Sequence, residues 1–182
     1  MKLKKFEGNP ILSPTDANDW ESLVTCNPGV IYDDGTFYML YRAAGNDAEH
    51  VIRLGLATSK DGFHFERVSD MPAFGPSEDG PDSGCVEDPR IVKYDTEYYI
   101  TYAYRPYSPG QYWNFGHDEI LLPECGSDAP MALRKNLGNT GLAVTTDFRE
   151  FKRLGRLTSP VLDDRDVILF PEKVQGKYVM LH

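Results

Sequence analysis

The chain repeats itself, and that repeat limits the fold more than any single motif. Tyr98-Tyr99-Ile100-Thr101-Tyr102 matches Phe37-Tyr38-Met39-Leu40-Tyr41 position for position, at an offset of 61. Pro89-Arg90-Ile91-Val92-Lys93-Tyr94-Asp95 matches Pro28-Gly29-Val30-Ile31-Tyr32-Asp33-Asp34 in pattern at the same offset. Further on, Gly141-Leu142-Ala143-Val144-Thr145-Thr146-Asp147 matches Gly55-Leu56-Ala57-Thr58-Ser59-Lys60-Asp61, now at an offset of 86. The two offsets differ by 25, which predicts an insertion between Tyr102 and Thr140. A third copy opens at Leu169-Phe170-Pro171-Glu172-Lys173-Val174 and returns as Lys177-Tyr178-Val179-Met180-Leu181.

Each copy reads as successive short strands. Alternating aromatic and β-branched residues suit a pleated surface, and Asp34-Gly35 is a hairpin turn signal. Four antiparallel strands in succession make a meander, which is one propeller blade. The expected layout is a lead-in segment over 1–26, a first blade over 27–68, a second over 87–155 with an insertion at about 105–137, and the start of a third over 167–182. Trp20 and Leu23 are expected to anchor the lead-in. A β-sandwich also uses short, evenly spaced strands, but a repeat of this period favours a propeller. Closed propellers have about four to eight blades, so the chain is expected to be a fragment. A ring closed by association of copies, a homo-oligomer, is the alternative.

Composition narrows the function. A net charge of -9 argues against nucleic acid, because a phosphate-backbone binder needs a basic face. Eleven Tyr, nine Phe and two Trp suit strands and sugar-binding surfaces alike. Cys26, Cys85 and Cys125 are odd in number, without zinc spacing; they read as free thiols in a reducing, cytoplasmic compartment. Lys2 to Phe6 lacks the apolar run of a signal peptide, and the apolar runs are too short to span a membrane. No metal site is expected. Asp163-Asp164-Arg165-Asp166 lacks the glycine and distal glutamate of a calcium loop and reads as a polar turn. His50, His64 and His117 carry no metal spacing and no assigned role.

Propeller inner strands begin at the central channel, where residues from several blades converge on one ligand. The corresponding steps are read as Asn27-Pro28, Asp88-Pro89 and Phe170-Pro171. Glu87-Asp88 is the sharpest candidate. Adjacent carboxylates repel, which helps one of them keep its proton when burial assists. A protonated carboxyl beside a sugar is what glycosidic cleavage requires. The structural explanation is a turn Asp capping its own backbone while Glu87 pairs with Arg90. Arg42 and Arg105 follow matching strand ends and suit bidentate contact with anions. Arg134, Lys135, Arg165 and Lys173 lie near later turns. Tyr104, Tyr107, Tyr112, Trp113 and Phe115 form either a sugar-stacking lid or packing for the insertion.

Taken together, several motifs resemble glycoside hydrolase family 130, the β-mannoside phosphorylases and related β-mannosidases. They are Asn27-Pro28-Gly29, Tyr41-Arg42-Ala43-Ala44-Gly45, Glu87-Asp88-Pro89-Arg90-Ile91, Gly141-Leu142-Ala143 with Asp147-Phe148, and Asp166-Val167-Ile168-Leu169-Phe170-Pro171-Glu172-Lys173. The resemblance implies an all-β, five-bladed β-propeller of which this chain covers about the first half. It implies inverting cleavage of a β-mannoside oligosaccharide, with Asp88 as general acid and no cofactor beyond inorganic phosphate as co-substrate. It places Asn27 and Arg42 on the sugar, in a substrate-binding set with Glu87, Arg90 and Arg105. Glu87 and Arg90 set the acid's geometry and charge, and Lys173 and Arg165 hold phosphate. One departure stands out: Asn139-Thr140 occupies a place where many phosphorylases carry an arginine, for which Arg134-Lys135 is the available substitute. Without phosphate, water attacks, and Glu172 or an aspartate of 163–166 serves as base. Glu124-Cys125 also resembles the acid motif of invertases, but Asn27 stands where those furanosidases carry an aspartate. A non-catalytic sugar-binding propeller is the remaining alternative.

Overall fold

A computed structural model describes residues 2–111 and 122–182. Two four-stranded antiparallel sheets, each in simple sequence order, account for most of it. The first comprises β1 (Val24–Asp33), β2 (Thr36–Ala44), β3 (Arg53–Ser59) and β4 (Glu66–Arg67). The second comprises β5 (Cys85–Tyr94), β6 (Glu97–Arg105), β7 (Asn139–Thr145) and β8 (Lys152–Arg156). A two-stranded pair, β9 (Ile168–Leu169) with β10 (Met180–Leu181), begins a third. The one α-helix among the described residues is α1 (Met131–Arg134), inside the insertion.

Turn chemistry explains why the meanders form. Asp34 and Gly35 both adopt positive φ, 43° and 73°, the backbone of a tight two-residue hairpin that matches strand twist. The β3–β4 and β7–β8 turns share one hydrogen-bond pattern. Ser59 Oγ accepts from the amides of Asp61 and Gly62, while Asp61 Oδ1 accepts from those of Phe63 and His64. Thr145 Oγ1 accepts from Asp147 and Phe148, and Asp147 Oδ1 from Arg149 and Glu150. Short polar side chains that cap their own backbone suit this task.

A second repeated device ties each sheet to the segment before it. Tyr41 Oη donates to Glu21 Oε2 at 2.9 Å, and Arg67 Nε donates to the same carboxylate. In the second sheet Tyr102 Oη donates to Asp82 Oδ2 at 3.0 Å and Arg153 Nε at 2.7 Å. Each tyrosine lies against a glycine of the third strand: a Cβ on Gly55 would stand 2.1 Å from the Tyr41 ring, and one on Gly141 2.5 Å from the Tyr102 ring. In the third unit His182 occupies the tyrosine position, its Nδ1 lying 3.0 Å from Asp164 Oδ2.

The main core lies between the two sheets, around Leu40, Leu54, Val86, Ile100 and Phe148. Close approach there depends on Gly29, where a Cβ would meet the Pro89 carbonyl at 2.5 Å. Asp33 Oδ2 accepts from both Lys93 Nζ and Tyr98 Oη across the same junction. On the outer face of the first sheet, Met39, Tyr41, Ala43 and Ala57 are covered by Ile11, Leu12 and Trp20. Trp20 anchors the lead-in as expected, but Leu23 is 39% exposed and does not.

Two expectations change. Glu87-Asp88 lies inside β5, not in a turn before it: β5 begins at Cys85, and its register slips between Glu87 and Arg90. The third proline is out of step, because Pro28 and Pro89 stand six residues before the positive-φ turn residues Asp34 and Asp95, whereas Pro171 stands four before Gln175.

Candidate active site

The site is built on two matched bulges. β1 slips register between Cys26 and Gly29, and β5 between Glu87 and Arg90. Asn27-Pro28 faces Tyr41 alone, and Asp88-Pro89 faces Tyr102 alone, so each bulge carries one extra residue. Asn27 has φ 43° and Asp88 φ 54°, a left-handed conformation that Asn and Asp tolerate better than other side chains. A bulge re-aims side chains that strict alternation would send to opposite faces. Here it turns the two short polar groups toward each other: Asn27 Nδ2 donates to Asp88 Oδ1 at 2.9 Å.

Arg42 completes the cluster. It pairs with Cys26 across β1 and β2, so it rises beside the first bulge. Its Nη1 lies 2.7 Å from Glu87 Oε2 and 3.2 Å from Asp88 Oδ1. Burial works against the Arg42 charge, but the Glu87 and Asp88 carboxylates outweigh it and hold its pKa above the ordinary arginine value. Glu87 itself is 4% exposed. Its other oxygen faces Arg105 Nε at 3.8 Å, and Arg105 donates to the Asn136 carbonyl. Asp88 is more open, with 21% of its side chain exposed. Among the described residues, nothing donates to Asp88 Oδ2.

The adjacent carboxylates therefore have different tasks. Glu87 is a buried countercharge between two guanidinium groups. Asp88 presents one restrained oxygen and one unengaged oxygen. Arg90 turns back so that Nη1 donates to the Asp88 carbonyl at 3.0 Å, and its Nη2 donates to Asp166 Oδ1 at 2.7 Å. The sequence-level pairing of Glu87 with Arg90 is thus replaced by Glu87 with Arg42 and Arg105. Arg42 and Arg105 are not at equivalent strand ends either. Arg105 pairs with Cys85 and the counterpart of Arg42 is Ala103, but residues two apart on β6 share a face, so both arginines reach Glu87.

Burial also shapes the neighbours. It pushes the Cys26 thiol pKa up, only partly opposed by Arg42, and pushes the Cys85 thiol up to about 12. His50 is held below the ordinary imidazole value by burial and then by the Arg42 charge.

Other candidates stand apart from this cluster. Arg165 Nε pairs with Asp163 at 3.0 Å. The Lys173 ammonium lies over the Tyr178 ring, 4.6 Å from its centroid. Asn139 is buried and donates to the Ser159 and Leu162 carbonyls, a structural use that accounts for an amide in that place. Arg134 donates to the Ala129 carbonyl within the insertion. Tyr104 is buried and Tyr107 is 37% exposed; Tyr112, Trp113, Phe115 and His117 lie outside the described residues. A cleft of about 810 Å³ beside Trp20, Asp47 and Arg53 contains none of the cluster. Sequence reasoning missed Glu21 and Asp82, and missed the partner of Asp166. Glu21 and Asp82 are separated by the same 61 residues as the repeat, so extending the alignment upstream finds them. Asp166 opens one of the quoted motifs and reads as part of a polar turn or as a base, but no pattern marks its pairing with Arg90.

Carboxylate, amide and guanidinium groups thus converge where neighbouring meanders of this propeller-like, nearly all-β protein meet. Residues 2–113 match the sequence model of the β-1,4-mannooligosaccharide phosphorylases, and the chain belongs to glycoside hydrolase family 130. It is 34% identical to the 1,2-β-oligomannan phosphorylase of Thermoanaerobacter sp. (strain X514), over 100% of this chain and 53% of that protein. The structure resembles the Listeria innocua β-1,2-mannobiose phosphorylase in complex with β-1,2-mannobiose, with a TM-score of 0.65, 20% identity, and coverage of 96% of this chain and 56% of that one. It also resembles a family 130 structure described among glycoside hydrolases that target β-1,2 mannosidic linkages in Candida mannan, with a TM-score of 0.64, 24% identity, and coverage of 97% and 49%. The chain thus spans about half the length of the relatives it matches.

Proposed function

We propose that the whole protein, a five-bladed propeller of which these residues form about the first half, phosphorolyses a β-mannosyl oligosaccharide. Inversion gives α-mannose 1-phosphate and a mannoside shorter by one residue. The observation that carries this reading is the division of labour at Asp88: Oδ1 is held by Asn27 and Arg42, while Oδ2 accepts from no described residue. An acid restrained through one oxygen is aimed through the other. Protonated Asp88 gives its Oδ2 proton to the glycosidic oxygen as the bond to the anomeric carbon breaks. A phosphate oxygen bonds to that carbon from the opposite face, as inversion requires. Phosphate arrives as an anion, so no protein base is needed. Arg42 and Asn27 position the acid and face the sugar. Glu87 and Arg105 are too buried to meet substrate and instead fix Arg42. Arg165 and Lys173 are the cations proposed for phosphate. The relatives' names favour a β-1,2 linkage.

A hydrolytic reading has its own support. The proposed phosphate cations are engaged by Asp163 and Tyr178, and Asp166 is exposed and tied to Arg90. Water would then attack, with Asp166 or Glu172 as base. Incubating the full-length protein with β-1,2- and β-1,4-mannobiose, with and without phosphate, separates the readings. Mannose 1-phosphate formed only with phosphate is the expected result. Free mannose without phosphate assigns hydrolysis, and sugar binding without turnover assigns a binding module.

A further inference from the structure

We propose that Asp166 is a positioning residue for the acid, acting through Arg90; this rests on the reading of Asp88 as general acid. The guanidinium of Arg90 is a fork whose two ends serve different segments. Nη1 donates to the main-chain carbonyl of Asp88 at 3.0 Å, and Nη2 donates to Asp166 Oδ1 at 2.7 Å. The Asp88 carbonyl belongs to the peptide that precedes Pro89, inside the register slip of β5. Proline has no amide hydrogen, so this part of the bulge lacks a ladder donor, and Arg90 supplies a charged one. Asp88 is left-handed, at φ 54°, a conformation that persists only where its surroundings impose it. Its side chain is fixed by Asn27 and Arg42 from the first sheet; its main chain is fixed by Arg90. Among the described residues, Asp166, from the segment opening the third unit, is the one side chain that fixes Arg90 in turn. The aim of Oδ2 is therefore set from both flanks.

The coupling has a measurable size. Arg90 and Asp166 are partly exposed, which limits such a pair to about a fivefold effect. Asp166 has φ 73°, so glycine removes its carboxylate without adding backbone strain, and asparagine keeps both the conformation and an acceptor oxygen. In the full-length protein, Asp166→Gly is expected to lower kcat on the mannobiose that the wild type cleaves by about threefold to fivefold, with KM changed less than about twofold. Asp166→Asn recovers most of the loss, and neither variant shifts the melting midpoint appreciably. Arg90→Lys, which reaches one acceptor but not both, falls with Asp166→Gly. A wild-type kcat in Asp166→Gly, or no recovery in Asp166→Asn, overturns the assignment.

A second readout does not depend on turnover. Asp88-Pro89 is the one Asp-Pro step in these 182 residues. Labelling aspartate carbonyl carbon with ¹³C and proline nitrogen with ¹⁵N therefore reports the Asp88 carbonyl, identified in the full-length protein as the signal that is lost in Asp88→Asn. Its resonance is expected to move in Asp166→Gly and to return in Asp166→Asn. An unmoved signal sinks the clamp, even if the protein cleaves mannosides. A moved signal in a protein that cleaves none sustains the clamp and rejects the acid reading.

Discussion

The first and second sheets place nearly the same side chain at the same bulge. Asn27 and Asp88 share a left-handed backbone, a following proline and a register slip. They differ by one amide group. That difference converts a steric repeat into a polar pair: an amide can donate to a carboxylate, whereas two carboxylates would repel. Around them the sheets diverge again, because Arg42 stands where the second sheet has Ala103. Duplicated geometry thus carries unduplicated chemistry, with the first sheet supplying the donors and the second the carboxylates. Repeats of this kind let one frame specialise by substitution at a few bulge positions.

The largest test of this asymmetry is Asp88→Asn. The amide keeps the shape but has no transferable proton, so the full-length protein is expected to lose about 10²- to 10⁴-fold in kcat. Initial rates of mannoside cleavage decide it; activity near wild type would remove Asp88 from the acid role. Asn27→Asp, which sets two carboxylates facing each other, should also impair turnover, while leaving the proton donor in place.

A smaller effect is expected at the buried carboxylates that the sheets share. Glu21 and Asp82 each hold a tyrosine and an arginine. Asp82→Ala leaves the buried Tyr102 hydroxyl without its acceptor, while the Arg153 side chain, a third exposed, can hydrate; the expected loss is about 1–3 kcal/mol, read by denaturant unfolding of the full-length protein. The pH dependence has a defined sign. Burial raises the Asp82 pKa, but hydrogen bonds from Arg153, Ser77 and Tyr102 outweigh it and hold it below the ordinary aspartate value. A depressed folded pKa means the contribution is present above the ordinary aspartate pKa of about 3.9 and is lost as pH falls through the folded value. Asp82→Ala should lack that acid limb; an unchanged limb would show that Asp82 does not carry it.

Much of this was legible in the sequence. The offset of 61 predicts both sheets, and Asp34-Gly35 predicts its hairpin because only certain residues take positive φ at low cost. Asp88 was legible as a site candidate, but the pairing of Glu87 with Arg42 and Arg105 was not. Alternation sends neighbours on a strand to opposite faces, and the bulge that overrides alternation has no residue signature strong enough to place it. Long-range partners were hidden for a different reason. Arg90 could have paired with adjacent Glu87, and only the approach of the third unit gives it Asp166. Lys173 illustrates the converse: its charge suggested phosphate, and its position over Tyr178 depends on the pairing of β9 with β10.

The last contrast lies at the outer turns, where Gly62 and Phe148 occupy the same place with φ 77° and 58°. Glycine takes this conformation freely; phenylalanine does so at a cost of about 1–2 kcal/mol. Packing offsets that cost. The Phe148 ring is 2% exposed, stacks on Tyr38 at 4.8 Å and meets Tyr98 at 4.5 Å, so it fills the junction between the sheets. Removing such a ring costs about 3–5 kcal/mol. Phe148→Gly relieves the backbone as it empties the core, so its net loss should be smaller, about 2–4 kcal/mol. Phe148→Ala keeps most of the strain and should be the less stable of the two. Gly62→Ala tests the same backbone without a buried ring. Its new Cβ would stand 3.2 Å from the Phe37 ring, and the expected loss is about 1 kcal/mol. Thermal unfolding of the three variants orders them. If Phe148→Gly were no less stable than wild type, the strained backbone would outweigh the ring, and the rest of the core between the sheets, around Leu40, Leu54, Val86 and Ile100, would hold the junction without it.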